Sequence, residues 1–85
     1  MITGVLRITE VEGGAVYLEA ADGTRYEPRW PAGWRVDRAT GALSGPDGQA
    51  GNRVTVRGEI ASDLASVRQI GAILDVSEVV AVGWR

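Results

Sequence analysis

Hydrophobic and polar residues alternate along the first third of the chain with a period of two, which is typical of half-buried β-strands. Three segments follow this pattern, and glycine-containing sequences of the kind found in tight hairpins separate them. The segments are 2–9, 15–20 and 24–30, and the separating sequences are Gly13-Gly14 and Asp22-Gly23. The pattern predicts a three-stranded meander, in which Pro28 places the end of the third strand at an edge or a bulge.

The stretch from Pro31 to Asn52 is rich in glycine and proline, which predicts short and interrupted structure. Within it, the segment GALSGPDGQAG has Leu43 as its only strong apolar anchor, and Pro46-Asp47-Gly48 has the composition of a tight turn. We expect this stretch to be an irregular connection between strands.

Regular alternation resumes in RVTVRGEI, which predicts a fourth strand with Val54, Val56 and Ile60 on its buried face. Gly58 falls on the same face and indicates a bend or a bulge. The segment 62–71 is the only candidate helix, because it combines a capping serine, apolar residues at helical spacing and a terminal glycine.

The segment AILDVSEVVAVGW predicts a fifth strand, which Ser77-Glu78 interrupts. Its buried face is expected to hold Leu74, Val76, Val80 and Val82. Five strands with at most one short helix predict an all-β, mainly antiparallel fold, and the chain length allows only a single domain over 1–85. Closing the sheet into a small barrel would remove its exposed edges.

The strand order and the glycine-flanked segment GNRVTVRGEI resemble small five-stranded OB-like barrels, in which a similar G-x-V-x-V-x-G strand is common. A second resemblance is to small bacterial β-domains of uncharacterised function, which combine WPxGW, LxxPDG and GxxVxVxG segments. The corresponding segments here are Trp30 to Trp34, Leu43 to Gly48 and Gly51 to Gly58. Both resemblances imply an OB-like barrel, and neither implies a known activity.

The composition removes most catalytic chemistry, because the chain has no cysteine, histidine or lysine and all nine basic residues are arginines. Thiolate nucleophiles, imidazole acid–base groups and Schiff-base lysines are therefore excluded. The aspartates lie mostly in turn sequences and lack the ligand spacing of a calcium loop. We expect no enzymatic activity, no cofactor and no metal. An enzyme that uses carboxylates alone stays an alternative to a binding module, and it would need a cleft with two carboxylates of separated pKa values.

A net charge of −2 and a pI near 5.0 argue against the strongly basic surface usual in a dedicated nucleic-acid binder. No apolar run approaches the roughly 20 residues of a membrane span, and the first residues lack the features of a secretory signal. We therefore expect a cytoplasmic protein without a membrane partner.

The segment RWPAGWR carries two tryptophans, each beside an arginine, and allows two interpretations. As an exposed platform, Trp30 and Trp34 would stack on bases at about 1–3 kcal/mol per base, with Arg29, Arg35 and Arg57 meeting phosphates. As a plug, the two rings would fill one end of the barrel while the proline and glycine turn the chain. The shortage of other large aromatic residues favours the plug.

Five arginines fall on outward positions of neighbouring strands and could form a basic face. They are Arg7, Arg25, Arg29, Arg53 and Arg57. Four glutamates occupy positions of the same kind, namely Glu10, Glu19, Glu27 and Glu59. Because facing opposite charges make an ordinary solvated sheet surface, this interpretation is favoured over a basic binding face.

The leading functional hypothesis is a binding or accessory module with single-stranded nucleic acid as the first ligand class, bound near Trp30, Trp34 and the outward arginines. It rests on analogy with OB-like barrels. The competing hypothesis is a protein-interaction or self-assembly module that forms a homodimer. In the terminal segment VVAVGWR, Val79, Ala81 and Trp84 are expected to remain uncovered once one face of the strand is used in the core.

Overall fold

The computed structural model describes residues 1–9, 15–61 and 71–84, which form eight β-strands. Five longer strands build a barrel, and three short strands build a second sheet. The barrel strands are β1 (Ile2–Thr9), β2 (Ala15–Ala20), β3 (Arg25–Arg29), β7 (Arg53–Ile60) and β8 (Ala72–Gly83). The second sheet holds β4 (Arg35–Val36), β5 (Leu43–Ser44) and β6 (Ala50–Gly51). The five strands predicted from alternation are confirmed, and the fold is all-β.

The barrel closes in the order β1-β2-β3-β8-β7, with β7 returning to pair with β1. Four of its pairings are antiparallel, as expected for most of the sheet, and the pairing of β3 with β8 is parallel. The parallel pair arises because β8 inserts between β3 and β7 instead of extending the meander. A small closed barrel of five strands is consistent with an OB-like barrel.

The hairpin between β2 and β3 turns at Asp22-Gly23, as its sequence predicts. Gly23 has a φ of 89°, and its N–H donates to the carbonyl of Ala20 at 2.9 Å. The N–H of Thr24 donates to Asp22 Oδ1 at 2.9 Å. This hydrogen bond to the ionised form lowers the pKa of Asp22 below its ordinary value.

The pairing of β7 with β8 shifts register twice, between Thr55 and Val56 and between Arg57 and Gly58. Each shift is a β-bulge that leaves one extra residue on β8. The extra residues are Ser77 and Val80. The Ser77 hydroxyl donates to the carbonyl of Arg57 at 3.2 Å, beside the second bulge. The bulge predicted at Gly58 is confirmed.

The bulges explain why the predicted burial of the last strand is partly wrong. A one-residue shift moves the following side chains to the opposite face of the sheet. Val79, expected on the uncovered face, packs against the core, whereas Val80, expected inside, is 43% exposed. Ile60, also expected inside, is 46% exposed because it is the last residue of β7, beyond the core cluster.

The second sheet lies against one part of the barrel and contributes Leu43 to a single core. Leu43 is fully buried among leucines and valines of the barrel strands. These barrel residues are Leu6, Leu18, Val54, Val56, Leu74 and Val76. Turns built on glycines with positive φ connect the short strands, including Gly48 of the predicted turn at 46–48. The apolar anchor predicted for this stretch is therefore confirmed.

Within the described ranges there is no helix, and hence none long and apolar enough to cross a membrane. The predicted helix at 62–71 falls almost entirely outside the described residues, as does the predicted turn at Gly13-Gly14.

Candidate interaction surfaces

The two tryptophans of RWPAGWR lie on either side of a tight turn. The N–H of Trp34 donates to the carbonyl of Pro31 at 3.3 Å, and Gly33 supplies the positive φ of 89° that this turn needs. Both indole rings are partly buried and pack against the barrel core. Trp34 also lies over Gly45, where a Cβ would come within 2.6 Å of ring carbons Cζ3 and Cη2.

This packing supports the plug interpretation of the segment. A stacking platform needs an open indole face, and these two rings use much of their surface inside the protein. The turn lies close to the turn between β5 and β6, since a Cβ on Gly33 would lie 3.5 Å from the Pro46 ring.

Arg29 is exposed but is engaged by a carboxylate on the neighbouring strand. The parallel register places it opposite Asp75, and its Nε and Nη2 donate to Asp75 Oδ1 and Oδ2 at 2.7 and 2.8 Å. Such two-pronged pairs have the most favourable geometry for arginine and carboxylate. A phosphate at this position would have to displace Asp75.

The other two arginines of the predicted site differ from each other. Arg57 on β7 lies 3.7 Å from the Glu78 carboxylate of β8, and both side chains are exposed. It is separated from β3 by β8, so roughly 10 Å lies between the strands that carry Arg29 and Arg57. Arg35 on β4 is exposed and makes no ion pair with the described residues.

The predicted site residues are therefore not gathered into one surface. Arginines and carboxylates alternate across the outer face, as the solvated-surface interpretation expects. Glu19 accepts from Arg7 at 2.8 Å and lies 3.7 Å from Arg25, whose guanidinium stands 5.1 Å from the ring centre of Tyr17. Tyr17 is nearly buried although its position in β2 is outward, which alternation did not indicate.

The carboxyl-terminal half of β8, with Trp84 directly after it, forms an exposed surface that carries apolar side chains. β8 pairs with β7 up to Gly83 but with β3 only as far as Asp75. From Val76 onward, β7 is thus its only strand partner among the described residues. Two exposed large apolar side chains lie here, Val80 at 43% and Trp84 at 67% exposure, with exposed Ala81 between them.

Metal ligation has no geometric basis in the described residues, where no three carboxylates come together. Comparison with protein families, with curated proteins and with solved structures gives no match for this chain.

Proposed function

We propose that this protein is a small, non-enzymatic interaction module that self-associates through the exposed end of β8. The observation that carries the proposal is a strand edge, from Val76 to Gly83, that has no partner among the described residues, together with exposed Val80 on this strand and exposed Trp84 directly after it. Unpaired N–H and C=O groups at a sheet edge are a template for pairing with another chain. Exposed apolar side chains beside such an edge mark interaction surfaces.

The segment is compatible with a two-fold symmetric contact, in which the same residues meet in both copies. Glu78 is the only charged residue between Val76 and Trp84. An antiparallel pairing centred on Val80 would place Glu78 of one copy beside Val82 of the other, so the two carboxylates would not face each other. The bulges at Ser77 and Val80 shorten the regular edge, which favours a closed pair over an extended fibre.

The size of the surface predicts weak association. A covered tryptophan buries about 150–250 Å², and the remaining exposed side chains of the segment are small. The total falls below the roughly 1,200 Å² at which stable interfaces begin. We therefore expect a dissociation constant between about 1 µM and about 1 mM, the range of transient complexes.

Replacing Val80 by arginine is expected to abolish the dimer, because the symmetry axis would bring the two added charges together. Sedimentation equilibrium up to about 1 mM protein, the weak end of the expected range, measures the effect. Ile60→Arg is the matched control, since Ile60 has nearly the same exposure on another part of the surface. A wild-type protein that stays monomeric, or an equal loss in both variants, would contradict the proposal.

Binding of single-stranded nucleic acid is the second candidate function. Its support is the OB-like strand order together with arginines on outward positions of neighbouring strands. The ion pairs of Arg29 and Arg57 reduce the positive charge that this surface offers to phosphates. The packing of Trp30 and Trp34 against the core reduces the stacking surface.

A nitrogen–proton NMR titration with a mixed-sequence oligonucleotide tests this second candidate. If it is right, amides of the arginine-bearing strands shift, and added salt weakens the shifts. The three indole signals report whether a tryptophan takes part, and Trp84 is the one whose exposure allows stacking. An absence of amide shifts at low salt would rule the candidate out.

A further inference from the structure

A groove of about 410 Å³ runs along the outer surface of β1, β2 and β7. Its uncharged lining includes Gly4, Val5 and Ala20, and its charged lining consists of Arg7, Glu19 and Arg53. The volume is within the lower part of the range of small-molecule sites. Two arginines and one glutamate give the groove a local charge of about +1, although the whole chain carries −2.

Arg53 is held apart from the carboxylate of this groove by the strand register. Arg53 of β7 is opposite Val5 of β1, and Val5 is opposite Glu19 of β2. The strands of Arg53 and Glu19 are thus two spacings apart, about 10 Å. Glu19 is already engaged by Arg7 and Arg25. Arg53 makes no ion pair with the described residues and leaves its five N–H donors for a ligand.

A pair of hydroxyl groups lies next to Arg53 on the same outer face. Thr55 is two residues further along β7 and faces Thr3 of β1, with their Oγ1 atoms 2.9 Å apart. One hydroxyl donates to the other, and the acceptor hydroxyl keeps its own proton for an outside acceptor. A guanidinium and a free hydroxyl donor therefore stand side by side.

We propose that this groove binds a phosphate group, with Arg53 as the principal ligand and the Thr3–Thr55 pair as the second donor. A carboxylate has two oxygens, which the arginine fork would use fully. A phosphate has further oxygens in a tetrahedral arrangement, so one can reach the hydroxyl pair while two meet the fork. The site includes two of the outward arginines of the nucleic-acid hypothesis, Arg7 and Arg53, but neither Trp30 nor Trp34. It does not require self-association.

NMR titration of the full chain with inorganic phosphate, at constant ionic strength, tests the proposal. The amides of 3–5 and 53–55 are expected to shift and to saturate. Arg53→Gln should weaken binding about tenfold or more, the usual cost of a lost charge-assisted hydrogen bond. Arg38→Gln, which removes the same charge from an exposed arginine between β4 and β5, should leave it unchanged.

Thr55→Val provides a second variant that keeps the strand-favouring shape and removes only the hydroxyl. It is expected to weaken phosphate binding less than Arg53→Gln does. Shifts scattered over the surface, or equal weakening by Arg38→Gln, would overturn the proposal. A mononucleotide and a single-stranded oligonucleotide then distinguish the source of the phosphate. Tighter binding of the mononucleotide assigns a small phosphorylated ligand, and tighter, salt-sensitive binding of the oligonucleotide assigns a nucleic-acid backbone.

Discussion

Replacing Leu43 by alanine is expected to lower the free energy of unfolding by about 2–5 kcal/mol, the usual cost of deleting a fully buried leucine side chain. Leu43 has no exposed surface and belongs to β5, the middle strand of the second sheet. Its side chain joins that sheet to the barrel core. Removing it should therefore weaken the barrel as well as the connection between β3 and β7.

Chemical denaturation followed by both circular dichroism and tryptophan fluorescence measures this effect. The two probes should give one shared transition at lower denaturant concentration, because the second sheet and the barrel use one core. Val80→Ala is the control. Val80 is partly exposed and lies outside the core cluster, so this substitution should lower the free energy of unfolding by about 0.5 kcal/mol or less. An early fluorescence change without a matching loss of strand signal would show that the second sheet is an independent unit.

Replacing Gly51 by alanine is the second change with a large expected effect. Gly51 of β6 lies directly against the backbone of Gly83 of β8, and a Cβ there would overlap the carbonyl group and Cα of Gly83. Backbone atoms cannot move aside as a flexible side chain can, so β6 and β8 would have to separate. We expect a loss of about 1–3 kcal/mol, the range for overpacking a close contact.

Gly83→Ala is the matched control, because the two glycines lie against each other but only Gly51 lacks space for a Cβ. A Cβ on Gly83 would meet no atom within 4 Å. Thermal unfolding should show a clear decrease in melting temperature for Gly51→Ala and a change close to zero for Gly83→Ala. Equal melting temperatures for the two variants would contradict the close approach of β6 and β8.

The parts of the fold that depend on neighbouring residues could be predicted from the sequence. Alternation located the five barrel strands, and glycine-containing sequences located the turns at 22–23 and 46–48. Leu43 could be identified as an anchor because it is the only large aliphatic residue in a stretch of small and polar ones. In these places the local pattern and the tertiary structure agree.

The parts that depend on distant residues could not be predicted in the same way. Val79 packs against the core in place of the predicted Val80 because of the bulges, and these depend on how β7 and β8 pair. The ion pair of Arg29 with Asp75 exists only because β3 and β8 run parallel in a particular register. A sequence pattern shows which side chains share a face of one strand. It does not show which carboxylate of the neighbouring strand will lie opposite a given arginine.

The dependence on distant residues also explains why the predicted site at RWPAGWR differs from the surfaces found in the structure. RWPAGWR has the composition of a binding surface, but its two tryptophans pack against core residues that come from other parts of the chain. The groove beside Arg53 could not be recognised in advance, because it joins three strands through the pairings of β1 with β2 and β7.

The parallel pairing of β3 with β8 also has a consequence for the folding kinetics. The residues joined by the Arg29–Asp75 contact are 46 positions apart in the chain, and those joined by the Thr3–Thr55 contact are 52 apart. Hairpins such as β2–β3 form within about 1–10 µs. Closing the barrel must first restrict two long loops, so we expect the slowest folding step to be this closure, on the millisecond-to-second scale of domains dominated by non-local pairings.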